Sequence, residues 1–435
     1  MKSNSRYRWY VAAVMFLFLL LHQADKLLIG PLTTAIMEDF QINEAQMGAV
    51  SSLAIIVASV LYPLWGYLYD RYARDKLLAL ASFIWGATTW LNALARTYGA
   101  FMITRSSTGI DDSSYPGLYS LLSDYFEPRL RGKVYGLMQM SGPLGFMAGT
   151  VLATQLGGAW GWRGVFFLTG ALGIVLSTVI FFTVRDVPRG SSEPEFQNVD
   201  TADEKPSERY RIDWETVRGL LRNRTLLLLM AQGFFGVFPW NVLTFWFFRY
   251  LETERGYTGG QAMTAMLIAI VAMAAGGFLG GTLGDFFFKR TPRGRVLVSA
   301  GGVLTGAIFL LLAMNVAADN LTLFTVLLAF TSLTMPIAAP NVMATVHDTT
   351  VPEVRSTARS LHKLVEDGGA ALAPFLAGVI AMRSSLHTAI LAICVSTWLI
   401  CAMLFGVTAL VVPGDVEKLR QTMHQRAKEV KSHAI

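Results

Sequence analysis

The sequence predicts an all-helical integral membrane protein, with twelve transmembrane helices in two pseudo-symmetric six-helix bundles. Three observations predict it. Of the 435 residues, 53% are hydrophobic and 15% charged, against about 25% charged in soluble domains. The charges crowd into short segments between long apolar runs, among them 11–21, 49–61, 165–182, 226–237, 262–279 and 389–412. A run of about 20 apolar residues crosses the hydrocarbon core as a helix. Finally, short motifs of the first half return in the second half in the same order.

The first helix is predicted over 9–30, preceded by Lys2, Arg6 and Arg8. That start resembles a secretory leader, but Leu21 runs into His22-Gln23-Ala24-Asp25-Lys26 with no small-residue cleavage site, so it reads as a retained span. Spans follow at 45–68, 77–95, 99–126, 131–155 and 163–184, and these close an N-terminal bundle over 1–185. The longest polar stretch forms a cytoplasmic linker, 186–222, whose Ser/Glu/Pro-rich part is 191–207. Within it Asp213 is placed to cap a short amphipathic helix, 214–221, lying on the membrane surface. The C-terminal bundle, 223–412, holds spans at 224–250, 261–285, 294–314, 320–345, 356–382 and 386–411, and 413–435 is a cytoplasmic tail.

Twelve spans put both termini on one side. That side collects 29 of the 36 Lys and Arg residues, while Arg96, Arg163, Arg249, Arg255 and Arg383 lie on the other and Lys26 and Arg105 lie within helices. Basic loops resist translocation, so the termini and the linker are expected in the cytoplasm of a cell (plasma or inner) membrane. The net charge of +6 follows from this topology and gives no reason to expect nucleic acid. Cys394 and Cys401 share one helix about 10.5 Å apart along its axis, too far to bridge, and no metal-ligand spacing accompanies them.

Gly66-Tyr67-Leu68-Tyr69-Asp70 returns as Gly281-Thr282-Leu283-Gly284-Asp285, each leaving the second span of its half. Pro128-Arg129-Leu130-Arg131 returns as Pro352-Glu353-Val354-Arg355, each entering the fifth, and the two offsets are 215 and 224 residues. Duplicated halves are what a rocking carrier needs.

Charges inside lipid are costly and tend to be functional. Asp25 and Lys26 fall in the outer half of the first span and Arg105 at nearly the same depth in the fourth, so an Asp25–Arg105 ion pair is expected. His22 lies on the same helical side as Asp25 and Lys26. Asp112, about 20° from Arg105 around an unbroken helix, is expected to share its cavity, and Asp111 to face about 100° away toward a neighbouring helix. Burial favours a neutral carboxyl and a nearby cation the charged one. A proton on Asp25 or Asp112 would therefore free Arg105 to hold an anionic headgroup.

In the other half, Lys363, Glu366 and Asp367 share a span. Glu366 is a candidate for proton or substrate handling, and Lys363 is placed to neutralise Glu366 or Asp367. His347 and Asp348 fall at a cytoplasmic helix end and Arg249 at an outer one. The aromatics from Phe234 to Phe247 either pack in the bundle or line a cavity for an acyl chain. Asp70, Arg71 and Arg74 read as a cytoplasmic gate with the bases of 129–133, Arg131 among them; Asp285 and Arg355 are the counterparts in the second half.

Gly66-Tyr67-Leu68-Tyr69-Asp70-Arg71-Tyr72-Ala73-Arg74-Asp75-Lys76 resembles the cytoplasmic loop motif of the major facilitator superfamily, with Ala73 and Asp75 departing from it. Arg105-Ser106-Ser107-Thr108-Gly109, Gly142-Pro143-Leu144-Gly145 with Gly149, and Trp162-Arg163-Gly164-Val165-Phe166 are similar to its fourth-, fifth- and sixth-helix patterns. Within the superfamily the chain looks most like the spinster-like branch, associated with lysophospholipid and sphingolipid export. There the first helix carries Asn-Tyr-x-Asp-Arg, and the fourth Arg-x-x-x-Gly-Ile-Gly-Glu-Ala-Ser-Tyr. Here His22 and Gln23 replace Asn-Tyr, Asp111 replaces glycine, Asp112 replaces glutamate, and Tyr115 stands at the tyrosine. The organic-anion symporter branch shares similar patterns.

The resemblance implies a major facilitator fold. It also implies a proton-coupled secondary transporter that moves an amphipathic anionic lipid by alternating access, with a proton-coupled organic-anion or multidrug carrier as the alternative. Its site would include His22, Asp25, Lys26, Arg105, Asp112, Tyr115 and Glu366. The expected partners are the bilayer, a small amphipathic substrate and protons, with the chain a monomer. No phosphate-binding loop, nucleophile motif or metal set is present in the sequence, so neither an enzyme nor a cofactor is expected.

Overall fold

The described residues of the computed structural model are 5–112, 114–188, 220, 222–351 and 355–433; the side chains of Asp70, Arg131 and Arg355 are not among them. Two compact units divide the chain, Met1–Tyr210 and Arg211–Ile435.

In the N-terminal unit the first span is two helices, α1 (Ser5–Leu27) and α2 (Ile29–Phe40). The break falls where Pro31 removes the N–H that would bond the Leu27 carbonyl. The sequence reading ends this span at residue 30, but it runs on to Gln41, whose left-handed backbone (φ 53°) ends it. An Asn43/Gln46 capping box opens α3 (Glu44–Arg71), and α4 (Arg74–Leu94) follows. The fourth span comes in three pieces, α5 (Tyr98–Ser107), α6 (Gly109–Asp112) and α7 (Tyr115–Tyr125). The fifth and sixth run together as α8 (Pro128–Thr183), 56 residues divided at Gly161, where φ 68° and ψ 170° leave the helical region.

The C-terminal unit repeats the pattern. Its first span is α9 (Arg224–Gly236) and α10 (Phe238–Thr253), broken at Val237 just ahead of Pro239. Then come α11 (Gly259–Phe288), α12 (Gly294–Met314) and a fourth span of α13 (Leu321–Thr334) and α14 (Ala338–Asp348), joined by a 3-10 turn containing Pro336. The last two spans are α15 (Arg355–Arg383) and the start of α16 (Leu386–His433). Pro413 does not stop α16, which continues through the stretch read as a tail.

Among the described residues, ten helical stretches are long and apolar enough to cross a membrane. The stretch containing α8 is two of the spans, and the fragmented fourth span escapes a test of continuous length, so the architecture is twelve spans. The first and fourth spans of each unit are the interrupted ones. Non-helical backbone is tolerated at membrane depth only inside protein or beside a cavity, so the breaks mark interior elements.

The N-terminal core joins Val11, Met15 and Phe18 of α1 to Leu78 and Trp85 of α4, Leu118 and Leu122 of α7, and Leu176 and Ile180 of α8. Large apolar side chains such as Val60, Ile103, Phe182, Phe278 and Leu410 stand exposed, an unfavourable pattern in water but the expected outer surface in lipid. Gly276 and Gly280 let α11 approach the backbone of Leu333 and Ile337 too closely for any Cβ, while Gly277 meets nothing.

Candidate functional site

The break in the fourth span decides which of its side chains face α1. At Gly109 the backbone approaches α3 so closely that an added Cβ would sit 2.4 Å from the Ala54 oxygen. Close approach also fixes α1 from its other side, where a Cβ on Gly149 of α8 would lie 2.4 Å from the Ala24 oxygen. His22, Asp25 and Lys26 are therefore clamped at a fixed depth.

Arg105 Nη1 lies 3.8 Å from Asp25 Oδ2, and Arg105 Nη2 donates to the Lys26 carbonyl at 3.3 Å. Both partners are buried, Asp25 at 2% exposure and Arg105 at 5%. Asp25 is held from the other side by hydroxyl groups: Thr169 donates to Oδ1 at 2.6 Å and Thr89 to Oδ2 at 3.1 Å. The guanidinium contact is long for a charge-assisted hydrogen bond, so the carboxylate is anchored by neutral donors and the cation is the looser partner. Arg105 also stands over the Phe166 ring, 5.7 Å from its centroid.

Asp112 and Asp111 both lie within electrostatic reach of Arg105. Lys26 Nζ donates to Asp112 Oδ2 at 2.5 Å, and Asp111, expected to face away, meets His22 Nε2 at 2.6 Å. The Tyr115 hydroxyl lies 2.5 Å from His22 Nδ1. Helical-wheel angles assume an unbroken helix, and Thr108 and Gly109 break this one, so Asp111 and Asp112 both turn toward α1. His22 and Asp111, two positions where the chain departs from the spinster-like pattern, are bonded to each other.

At the other end of the unit, Arg74 is 1% exposed and donates to Asp124 (2.5 Å), Asp186 (3.0 Å), the Ser120 carbonyl (3.0 Å) and the Val187 carbonyl (2.7 Å). Arg71 is exposed and stacks over Tyr67, 4.8 Å from the ring centroid. The side chains of Asp70, Arg131 and Arg355 and the helix expected over 214–221 lie outside the described residues. In the C-terminal unit Arg295 bridges Asp285 (2.6 Å) and Asp348. Arg74 opens α4 and reaches the end of α7, and Arg295 lies in the first turn of α12 and reaches the end of α14, so the two halves share a charge arrangement the sequence motifs only hinted at.

Glu366 pairs with Arg359 (3.3 Å) and with His362 Nδ1 (3.4 Å), while Lys363 pairs with Asp367. His362 is buried and also meets the Leu229 carbonyl at 3.1 Å. The aromatics of α10 mostly pack: Phe245, Trp246, Phe247 and Phe248 are buried, and Trp246 donates to the Pro374 carbonyl at 3.0 Å. Sequence reasoning missed Thr89, Thr169, Arg295, Arg359 and His362 as partners; a survey of hydroxyl residues within apolar runs and of bases one or two turns before Glu366 would have found all but Arg295, which lies ten residues beyond Asp285 on the next helix.

Interrupted spans carrying buried opposite charges mark a polytopic membrane protein. A model of the Major Facilitator Superfamily matches residues 14–312, more than half the chain, and the protein belongs to that family of secondary transporters. Protein spinster of Drosophila melanogaster is 27% identical over 400 residues, which cover 89% of this chain but 64% of that protein. The probable sulfoacetate transporter SauU of Cupriavidus necator is 25% identical over 329 residues, 73% of this chain and 75% of that one. Among solved structures, a bacterial homolog to the human lysosomal transporter Spinster, inward-facing and unoccupied, superposes with a TM-score of 0.84. It shares 20% identity over 95% of this chain and 99% of that one.

Proposed function

We propose that the protein is a proton-coupled carrier that moves an amphipathic anionic lipid, of the lysophospholipid kind, by alternating access. The observation that carries the proposal is the Arg105–Asp25 pair: a buried guanidinium held at 3.8 Å from a carboxylate that neutral hydroxyls already satisfy. Such a cation can exchange its carboxylate for a phosphate, for which its planar fork is well suited. Protonation of a neighbouring carboxyl would release it, and the Lys26–Asp112 pair, with Lys26 about half exposed, supplies a second cation for a headgroup. Glu366, with Arg359 and His362, supports a polar counterpart in the other unit.

The Arg74 and Arg295 nodes, with Arg71 and Asp285 and with Asp70, Arg131 and Arg355, whose side chains are not among those described, fit a gate whose pairs set the balance of conformations. The charge bias of the loops supports cytoplasmic termini in a cell membrane, and we read the working unit as a monomer. Similarity to a probable sulfoacetate transporter favours a second reading, a small organic anion held by the same cations.

A thermal-shift screen of the purified protein against lysophosphatidylglycerol, sugar acids, sulfonates and cationic drugs tests the choice. Stabilisation by the lysolipid alone supports the first reading, and stabilisation by short sulfonates alone supports the second. Stabilisation by cationic drugs alone rejects both.

A further inference from the structure

The cluster between α1 and the fourth span holds three carboxyl groups, Asp25, Asp111 and Asp112, against two permanent cations, Lys26 and Arg105. With every carboxyl ionised and His22 neutral, this group carries one net negative charge inside the span, a strongly disfavoured state. One proton balances it, and the contacts show where the proton goes. Asp25 is occupied by Thr169, Thr89 and Arg105, and Asp112 takes the Lys26 ammonium. Asp111 is 1% exposed, its described ionic contact is to His22, and its buried Oδ1 has no hydrogen-bond partner among the described residues.

We propose that His22 and Asp111, together with Tyr115, form a proton-binding site distinct from the Asp25–Arg105 pair. Without the proton, His22 donates Nε2–H to Asp111 and accepts the Tyr115 hydroxyl at Nδ1. With the proton on Nδ1, that nitrogen donates to the Tyr115 oxygen, and the imidazolium and carboxylate together are neutral. Tyr115 serves both states by turning its hydroxyl, since a phenol donates and accepts. The rings of Trp85 and Phe18, with centroids 5.6 and 6.0 Å from the imidazole, shield it.

The charged and titratable groups that face the pair are Arg105, Asp112 and Tyr115 from the fourth span and Lys26 and Asp25 from α1; Trp85, from α4, does not titrate. Proton loss leaves a negative charge beside the Lys26–Asp112 pair, so the site's loading is felt one turn away, where the proposed headgroup cation sits. As a coupling site this rests on the proton-driven reading above; as a proton-binding site it stands alone.

The full-length protein, labelled with nitrogen-15 in its six histidine rings and held in lipid nanodiscs, is titrated by NMR between about pH 5 and 9, where histidine ordinarily changes charge. One resonance, identified by its loss in His22→Gln, is expected to change protonation state. Its midpoint is expected to move by more than about one pH unit in Asp111→Asn. Asp111→Glu, which keeps the carboxylate, should retain the transition and covers the case in which the amide variant does not fold. A His22 resonance fixed in one state across the range, or a midpoint indifferent to Asp111, overturns the site.

A second arm measures lysophosphatidylglycerol uptake by reconstituted vesicles with and without a proton gradient. Wild-type protein is expected to be faster with the gradient and His22→Gln equally slow in both. Full acceleration in the variant removes the pair's coupling role. No acceleration in the wild type rejects the proton-driven reading and leaves the NMR result to decide the site.

Discussion

Arg105 and Asp25 stand 3.8 Å apart, and the carboxylate's shorter contacts are to two threonine hydroxyls. A buried pair so arranged contributes little to stability against apolar replacements, yet losing one partner strands the other. Arg105→Ala is therefore expected to lower stability by about 3 kcal/mol and to abolish transport, with folded protein still in the membrane. The Arg105→Ala/Asp25→Ala double variant should recover most of the stability and none of the transport. Thermal unfolding and vesicle uptake check both parts, and retained transport in the single variant removes Arg105 from the site.

The Arg74 and Arg295 nodes look alike but differ in burial. Arg74 is enclosed by two carboxylates and two carbonyls, whereas the Asp285 side chain beside Arg295 is 64% exposed. Arg74→Ala is expected to cost about 3–5 kcal/mol and Arg295→Ala about 1 kcal/mol. Arg74→Lys should not rescue, because a single ammonium cannot serve five acceptors set around a planar fork. Unfolding midpoints of the three variants rank the costs, and equal losses at the two arginines would contradict the burial argument.

Gly149 is required by packing. Gly149→Leu drives a side chain into the Ala24 carbonyl and should leave little monodisperse protein on size-exclusion chromatography, whereas Gly158→Ala, with nothing within 4 Å, should behave as the wild type. Normal behaviour of Gly149→Leu would mean that α1 and α8 do not meet as described.

Helices, their order and the two-fold repeat were legible in the sequence because lipid enforces one rule along the whole chain: apolar runs of spanning length between polar loops. The Asp25–Arg105 pair was legible for the same reason, since only a few charges fall inside spans and depth alone brings these two together. That Asp111 would contact a neighbouring helix was legible, but its partner His22 was not, because its direction depends on a local break at Thr108 and Gly109, and no periodicity reports the angle of a break. The acidic partners of Arg74, and Asp348 as a partner of Arg295, were missed because they lie 50 or more residues away in sequence. The side chains at Asp70, Arg131 and Arg355 remain expectations from the repeat.

The most direct measurement uses vesicles reconstituted with the protein and loaded with a pH-sensitive dye, with lysophosphatidylglycerol added outside. Wild-type protein should move protons together with the lysolipid, and Arg105→Ala should move neither. Lysolipid movement without proton movement in the wild type, or an unchanged signal from Arg105→Ala, would contradict the account.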